Sequence, residues 1–419
     1  MNDNFYKKNF GFIVFFIFYL SLIFGFYIDE NLNYGAIPDW KYTDLPVIND
    51  LSLNIKKTLL NYESYGHRHS PVYLIFLSLF KKIGISIDGI RLLHLNLSLL
   101  LIYFFYKCLV LKFSKIEKNI LLLLSLSVFL SPTFRSLAIW PSSRLIGLIF
   151  FLISVYEFLK FVKTQKKINM WKNITFLIVA SYVSPNFSVF IIFFLYHYLE
   201  KVNFKNLIYL LFFCLISALP AFYYIFILEV NFLLAGTPGK DLGSSVSLGF
   251  NFSDKVLIIS SILFFHLIPL LLNREFILNF TKLPKNEFLI ISIFFIINLF
   301  FFDYSINYTG GGVFFQLSNF FFNNNYFFYF ISFVSLMLLI NLSKNNINNF
   351  LIFFLLILSN IQNTIYHKYY DPLVLILFFT LINNPLSYKF FENKSNIYFV
   401  YIFYLIYFSI RIVKNNYLS

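Results

Sequence analysis

Apolar residues run through this chain in long blocks separated by short polar stretches, with no sustained alternation between polar and apolar positions. At about 1.5 Å per helical residue, about twenty apolar residues cross a hydrocarbon core of about 30 Å. Blocks near residues 10–28, 90–110, 119–131, 145–162, 173–184, 186–200, 206–228, 255–272, 287–302, 326–342, 348–360, 372–383 and 396–412 therefore predict an all-α polytopic membrane protein with about 12 or 13 transmembrane helices. Several of these blocks are short, so polar neighbours complete them or the helix breaks inside the bilayer. The stretch from Pro71 to Ile83 differs. It covers only about 20 Å, and Lys81-Lys82 interrupts it, which predicts a helix lying in the interface instead of crossing. No long polar segment marks a soluble module, so residues 1–419 read as one transmembrane domain.

Composition excludes a soluble alternative. Hydrophobic residues make up 59% and charged residues 12% of the chain, and mean hydropathy is +0.74, which no soluble core of this length can hide. The net charge of +14 does not point to nucleic acid, because the lysines gather in short loops between apolar blocks. Lys107, Lys112, Lys115 and Lys118 form one group, and Lys163, Lys166, Lys167 and Lys172 another. Under the positive-inside rule these loops are cytoplasmic, as is the N-terminus with Lys7 and Lys8. Residues 10–28 then form an uncleaved anchor ending on the outer side of the plasma (inner) membrane. The outer loops become 29–89, 230–254 and 303–325. The 61 Phe residues read as lipid-facing filler, and Cys108 and Cys214 lie inside apolar blocks without a metal motif.

Candidate chemistry concentrates in the first outer loop. Asp29 and Glu30 stand where the first apolar block ends, where a carboxylate can take a hydroxyl proton, and Asp44 is the further carboxylate that could inherit that role. His67, Arg68 and His69 precede the interfacial helix. Two histidines at that spacing could hold a divalent ion, yet no third ligand follows, so they read instead as a site for an anionic group, with the arginine as a phosphate fork. Arg135 and Arg144 flank Trp140-Pro141-Ser142-Ser143. Late in the chain His367, Lys368, Tyr369 and Asp371 precede a further apolar block. Cations on the outer face run against the general charge trend, which makes them candidates for offsetting a leaving phosphate.

These landmarks resemble the GT-C superfamily of polytopic glycosyltransferases, which includes protein O-mannosyltransferases and the aminoarabinose transferase of lipid A. The resemblance rests on the acidic residue closing the first span (Asp29 or Glu30) and on His67-Arg68-His69-Ser70-Pro71 opening a juxtamembrane helix. Further matches are Arg91 at the next span, Leu130-Ser131-Pro132, and Ser143-Arg144-Leu145. Lys368-Tyr369-Tyr370-Asp371-Pro372 is a looser match, with lysine where relatives carry arginine. It implies a polyprenyl-phosphate-linked sugar donor, a glycan, lipid or protein acceptor, an acidic residue that activates the acceptor hydroxyl, and basic residues that hold the lipid phosphate. It implies no certain cofactor. Rival readings are a surface-polysaccharide polymerase or ligase, which would gather its arginines in one large late loop, and a lipid-linked glycan transporter or flippase, which would show paired halves.

Overall fold

The computed structural model of the chain describes residues 3–33, 35–65, 70–227, 251–271, 284–305, 310–344, 346–360 and 362–417. Its first compact unit comprises Met1–Ala235 with Tyr401–Ser419, and its second Gly236–Val400. In chain order the first unit contains α1 (Asp3–Tyr27), α2 (Leu45–Leu53), α3 (Ile55–Leu60), α4 (Pro71–Lys82), α5 (Ile87–Lys112) and α6 (Lys118–Leu126). It continues with α7 (Pro132–Ile139), α8 (Ser143–Thr164), α9 (Lys167–Val183), α10 (Ile191–Leu199) and α11 (Phe204–Phe222). The second unit holds α12 (Phe252–Leu271), α13 (Lys285–Phe300), α14 (Gly312–Phe322), α15 (Tyr326–Ser343), α16 (Ile347–Leu358), α17 (Leu373–Thr380) and α18 (Pro385–Lys389). Most of α19 (Ser395–Tyr417) belongs to the first unit.

Each apolar block read from the sequence coincides with a helix. Among the described residues, 7 of these helices are long and apolar enough to cross a membrane, and an eighth span results if Lys118–Leu130 and Pro132–Ile139 count as one. The shorter blocks, such as α16 and α17, form helices of 12 and 8 residues. The faces they leave outward are apolar: α1 exposes Phe12, Phe16, Leu20 and Phe24, and α11 exposes Phe212, Leu215 and Leu219. This is the surface of a protein in lipid.

Two local features of the first unit each depend on a proline. The helix pair α6–α7 bends by 70°. Pro132 cannot donate to a continuing helix and pushes Ser131 to extended backbone, and the Ser131 hydroxyl then caps α7 by accepting the Phe134 N–H at 3.0 Å. The second feature is α4, which forms where the sequence placed an interfacial helix. Pro71 sits at its first turn, Ser70 caps it, and the Ser70 hydroxyl donates to the Tyr182 carbonyl of α9.

Behind these elements α8 packs along α9 and α5. Gly147 allows the closest approach, since a Cβ there would lie 2.5 Å from the Ser184 Cβ. Asn173 is fully buried and satisfied: its amide donates to the Ser154 carbonyl and hydroxyl, and its oxygen accepts from Tyr198. In an apolar setting such a network fixes three helices in one register.

Candidate active site at the exit of the first helix

Helix α1 ends in a Schellman turn. The Glu30 N–H bonds to the Gly25 carbonyl at 2.8 Å and the Asp29 N–H to the Phe26 carbonyl at 3.3 Å, with Asp29 in the left-handed region at φ 52°. Glycine is the usual occupant of that position, because a Cβ costs about 1 kcal/mol or more there. A carboxylate has been placed where glycine would fold more easily.

The two neighbouring acids have opposite fates. Glu30 turns inward to Arg135 of α7, with Nε 2.6 Å from Oε1 and Nη2 2.7 Å from Oε2. Arg135 also bonds to Ser21, Nη1 to its hydroxyl at 3.1 Å and Nη2 to its carbonyl at 3.0 Å. The Trp140 indole donates to the Glu30 carbonyl at 3.0 Å, and the Leu32 N–H donates to the Ser136 hydroxyl at 3.0 Å. Gly25 makes room for this knot, since a Cβ there would lie 2.9 Å from Glu30 Oε2 and 3.0 Å from Arg135 Nη2.

Asp29 faces outward, its side chain 54% exposed against 8% for its partner Arg91. Arg91 Nη2 holds Asp29 Oδ1 at 2.7 Å, and Nη1 holds Asp88 Oδ1 at 3.0 Å. The guanidinium lies 3.9 Å from the Trp140 ring centre and 4.8 Å from that of Phe26, so it is stacked as well as paired. Asp29 Oδ2 has no hydrogen-bond partner among the described residues. One oxygen is pinned and the other is presented.

Asp44, the third candidate carboxylate of the loop, is only 2% exposed. It lies in the wide turn Asp39–Asp44 that runs into α2. Burial pushes the phenols of Tyr62 and Tyr73 well above their usual range, and the nearby Asp44 charge adds to both shifts. The Tyr73 hydroxyl meets His94 Nδ1, while His94 Nε2 lies 2.7 Å from the Leu137 carbonyl. A carbonyl only accepts, so the proton sits on Nε2 and Tyr73 donates to Nδ1. This neutral, buried histidine ties α4 to α5 and α7. Arg144 opens α8, four residues beyond Trp140, at the same end of the bundle. His67, Arg68 and His69 lie outside the described residues.

The late cluster belongs to the second unit. His367, Lys368 and Tyr369 form a single tight turn. The His367 ring lies 4.7 Å from that of His266, the Lys368 ammonium 5.1 Å from the Tyr366 ring, and Tyr369 donates to Gln362 at 3.0 Å. Asp371 is buried, and its bond to Pro372 is cis. Beside this turn Gly310, Gly311 and Gly312 all take positive φ. A Cβ on Gly310 would strike the Ile365 carbonyl at 2.5 Å, so the triplet is a close-approach loop. Asp254 and Lys255 are buried at the start of α12: Asp254 accepts the Asp303 N–H at 2.9 Å and Lys255 donates to the Asn360 carbonyl.

Sequence reasoning gave no chemical role to Arg91, nor to Arg411, whose Nε donates to the Leu32 carbonyl at 2.9 Å. A signal existed for both, since each is an isolated arginine at the end of an apolar block. It also assigned Arg135 to phosphate; in the structure each nitrogen of that side chain makes at least one hydrogen bond to Glu30 or Ser21. Among the described residues, no three His, Cys, Asp or Glu side chains gather as a metal site. No family model, curated protein or solved structure matches this chain.

Proposed function

We propose that this chain is a membrane glycosyltransferase of the GT-C kind, moving a sugar from a polyprenyl-phosphate-linked donor to an acceptor hydroxyl. It works at the outer side of the plasma membrane, at the face where α1 ends. The observation that carries this reading is Asp29, a carboxylate kept in a left-handed turn with Oδ1 gripped by buried Arg91 and Oδ2 open. Such a group has a fixed direction and one unoccupied lone-pair face, as a general base requires. In the reaction the acceptor oxygen bonds to the sugar's anomeric carbon as the bond from that carbon to the phosphate oxygen breaks. The acceptor proton passes to Asp29 Oδ2, and the lipid phosphate leaves with the bonding pair.

Both reactants are confined to the membrane plane, so orientation supplies much of the rate. Glu30 and Arg135 are the rigid floor of the site. Phosphate binding falls to cations other than Arg135, with Arg144 nearest along the chain. The test is mass analysis of surface glycans and lipid-linked sugars in a deletion strain carrying wild-type or Asp29→Asn protein. The near-isosteric variant is expected to insert normally and leave donor unconsumed and acceptor unmodified. Wild-type glycans in the Asp29→Asn strain would remove Asp29 from the chemistry. A transporter instead predicts unchanged transfer on the donor's own side.

A further inference from the structure

A base needs its open oxygen kept in one direction, and the ion pair of Asp29 does not secure that alone. The carboxylate is half exposed, and a pair so open to water holds its geometry loosely. One buried side chain supplies the rest. Trp140 closes α7, and Pro141 after it holds its backbone extended at φ −106° and ψ 111°. Its indole N–H donates to the Glu30 carbonyl at 3.0 Å, which fixes the main chain as it leaves Asp29. Its ring centre lies 3.9 Å from the Arg91 guanidinium, and that of Phe26 lies 4.8 Å from the same group. Stacking takes freedom from a long side chain and steadies the Nη2 that grips Asp29 Oδ1. The helix carrying the ring is itself anchored, because Arg135 binds Glu30 and Ser136 binds Leu32. The backbone and the counter-ion of Asp29 therefore meet on one indole.

We propose that Trp140 is the positioning residue for Asp29. It sets the direction of Oδ2 through the Glu30 main chain and through Arg91, and its burial keeps it from both reactants. This deepens the transferase reading and rests on it for one detail, that Asp29 is the base. The two contacts are separable. Trp140→Phe keeps a ring for Arg91 and loses the bond to Glu30, while Trp140→Leu loses both.

Two readouts test this, and one needs no reaction. In the first, full-length protein in detergent is treated with a water-soluble carbodiimide and glycine ethyl ester. Coupling at Asp29 is read by mass spectrometry against exposed Asp303 of the second unit. Loss of the stack frees Asp29 from Arg91, so coupling is expected to rise about tenfold in Trp140→Leu and about threefold in Trp140→Phe. Phe26→Leu leaves the indole bond in place and is expected to rise about threefold, which keeps the test open if Trp140→Leu does not fold. The second readout is transfer, with the lipid-linked sugar pool extracted from a deletion strain as donor. Trp140→Phe is expected to lower kcat about tenfold with KM unchanged. Unchanged Asp29 coupling in every folded variant overturns the proposal, as does a raised KM with wild-type kcat. Raised coupling without any transfer by the wild type supports the positioning role and removes the transferase reading alone.

Discussion

Arg135 and Glu30, separated by 105 residues, close on each other through two parallel contacts of 2.6 and 2.7 Å. Their side chains are only 3% and 11% exposed, and the pair fastens the bent helix α7 to the exit of α1. Removing one partner of a buried pair strands the other charge, at a cost of about 3–5 kcal/mol, while replacing both with apolar groups recovers much of it. Glu30→Met and Arg135→Met are therefore each expected to melt well below wild type, and the double variant above either. Thermal unfolding of detergent-purified protein followed by gel filtration checks this. A double variant worse than both singles would show that the pair does not act as a unit.

Gly25 offers a sign test of the same knot. Within a helix, glycine to alanine normally gains about 1 kcal/mol. Here the new methyl would crowd Glu30 Oε2 at 2.9 Å and Arg135 Nη2 at 3.0 Å, both held in place by their mutual bonds. Gly25→Ala is expected to lower the melting temperature. A rise would mean that the ion pair has room to move.

Asp29 separates stability from function. Asp29→Gly relieves the left-handed backbone, worth about 1 kcal/mol, and forfeits a half-exposed ion pair worth about 1 kcal/mol or less. The two effects nearly cancel, so melting is expected to stay close to wild type while glycan transfer is lost. Measuring both on one preparation decides the matter. A folded Asp29→Gly protein that still transfers would place the base elsewhere.

How much of this was legible beforehand depends on the range of the interaction. The apolar blocks and the Ser70-Pro71 cap are local, and α4 appears where those residues put it. The left-handed turn at Asp29 carries no local mark, because aspartate there imitates an ordinary helix end. The difference between Asp29 and Glu30 is also invisible in sequence, where they are adjacent acids. Arg135 and Arg91, each many residues away, decide which one is buried and which is presented. Span length was less legible than span position. An apolar block announces a helix, but prolines such as Pro132 decide whether it continues. The second unit's Asp254 and Lys255 look like ordinary ends of an apolar block, and only folding shows them buried.

The packing of the first loop predicts an alkaline limit on stability. Burial, with the Asp44 charge adding to it, pushes the Tyr62 phenol above its ordinary value of 10.0. The folded state thus holds a proton that the unfolded chain releases above about pH 10. The stabilisation is complete below that pH and is lost as pH climbs toward the folded value, at about 1.4 kcal/mol per pH unit for one phenol. Tyr62→Phe removes this linkage, so its melting temperature is expected to fall less steeply than wild type between about pH 9 and about pH 11. Tyr73→Phe is a poorer probe, since it also takes the donor from His94 Nδ1. Parallel melting curves for wild type and Tyr62→Phe across that window would mean that Tyr62 ionises as freely in the folded protein as in the unfolded chain. The loop between α1 and α4 would then be open to water around Asp44, and the contrast between a buried Asp44 and a presented Asp29 would fail with it.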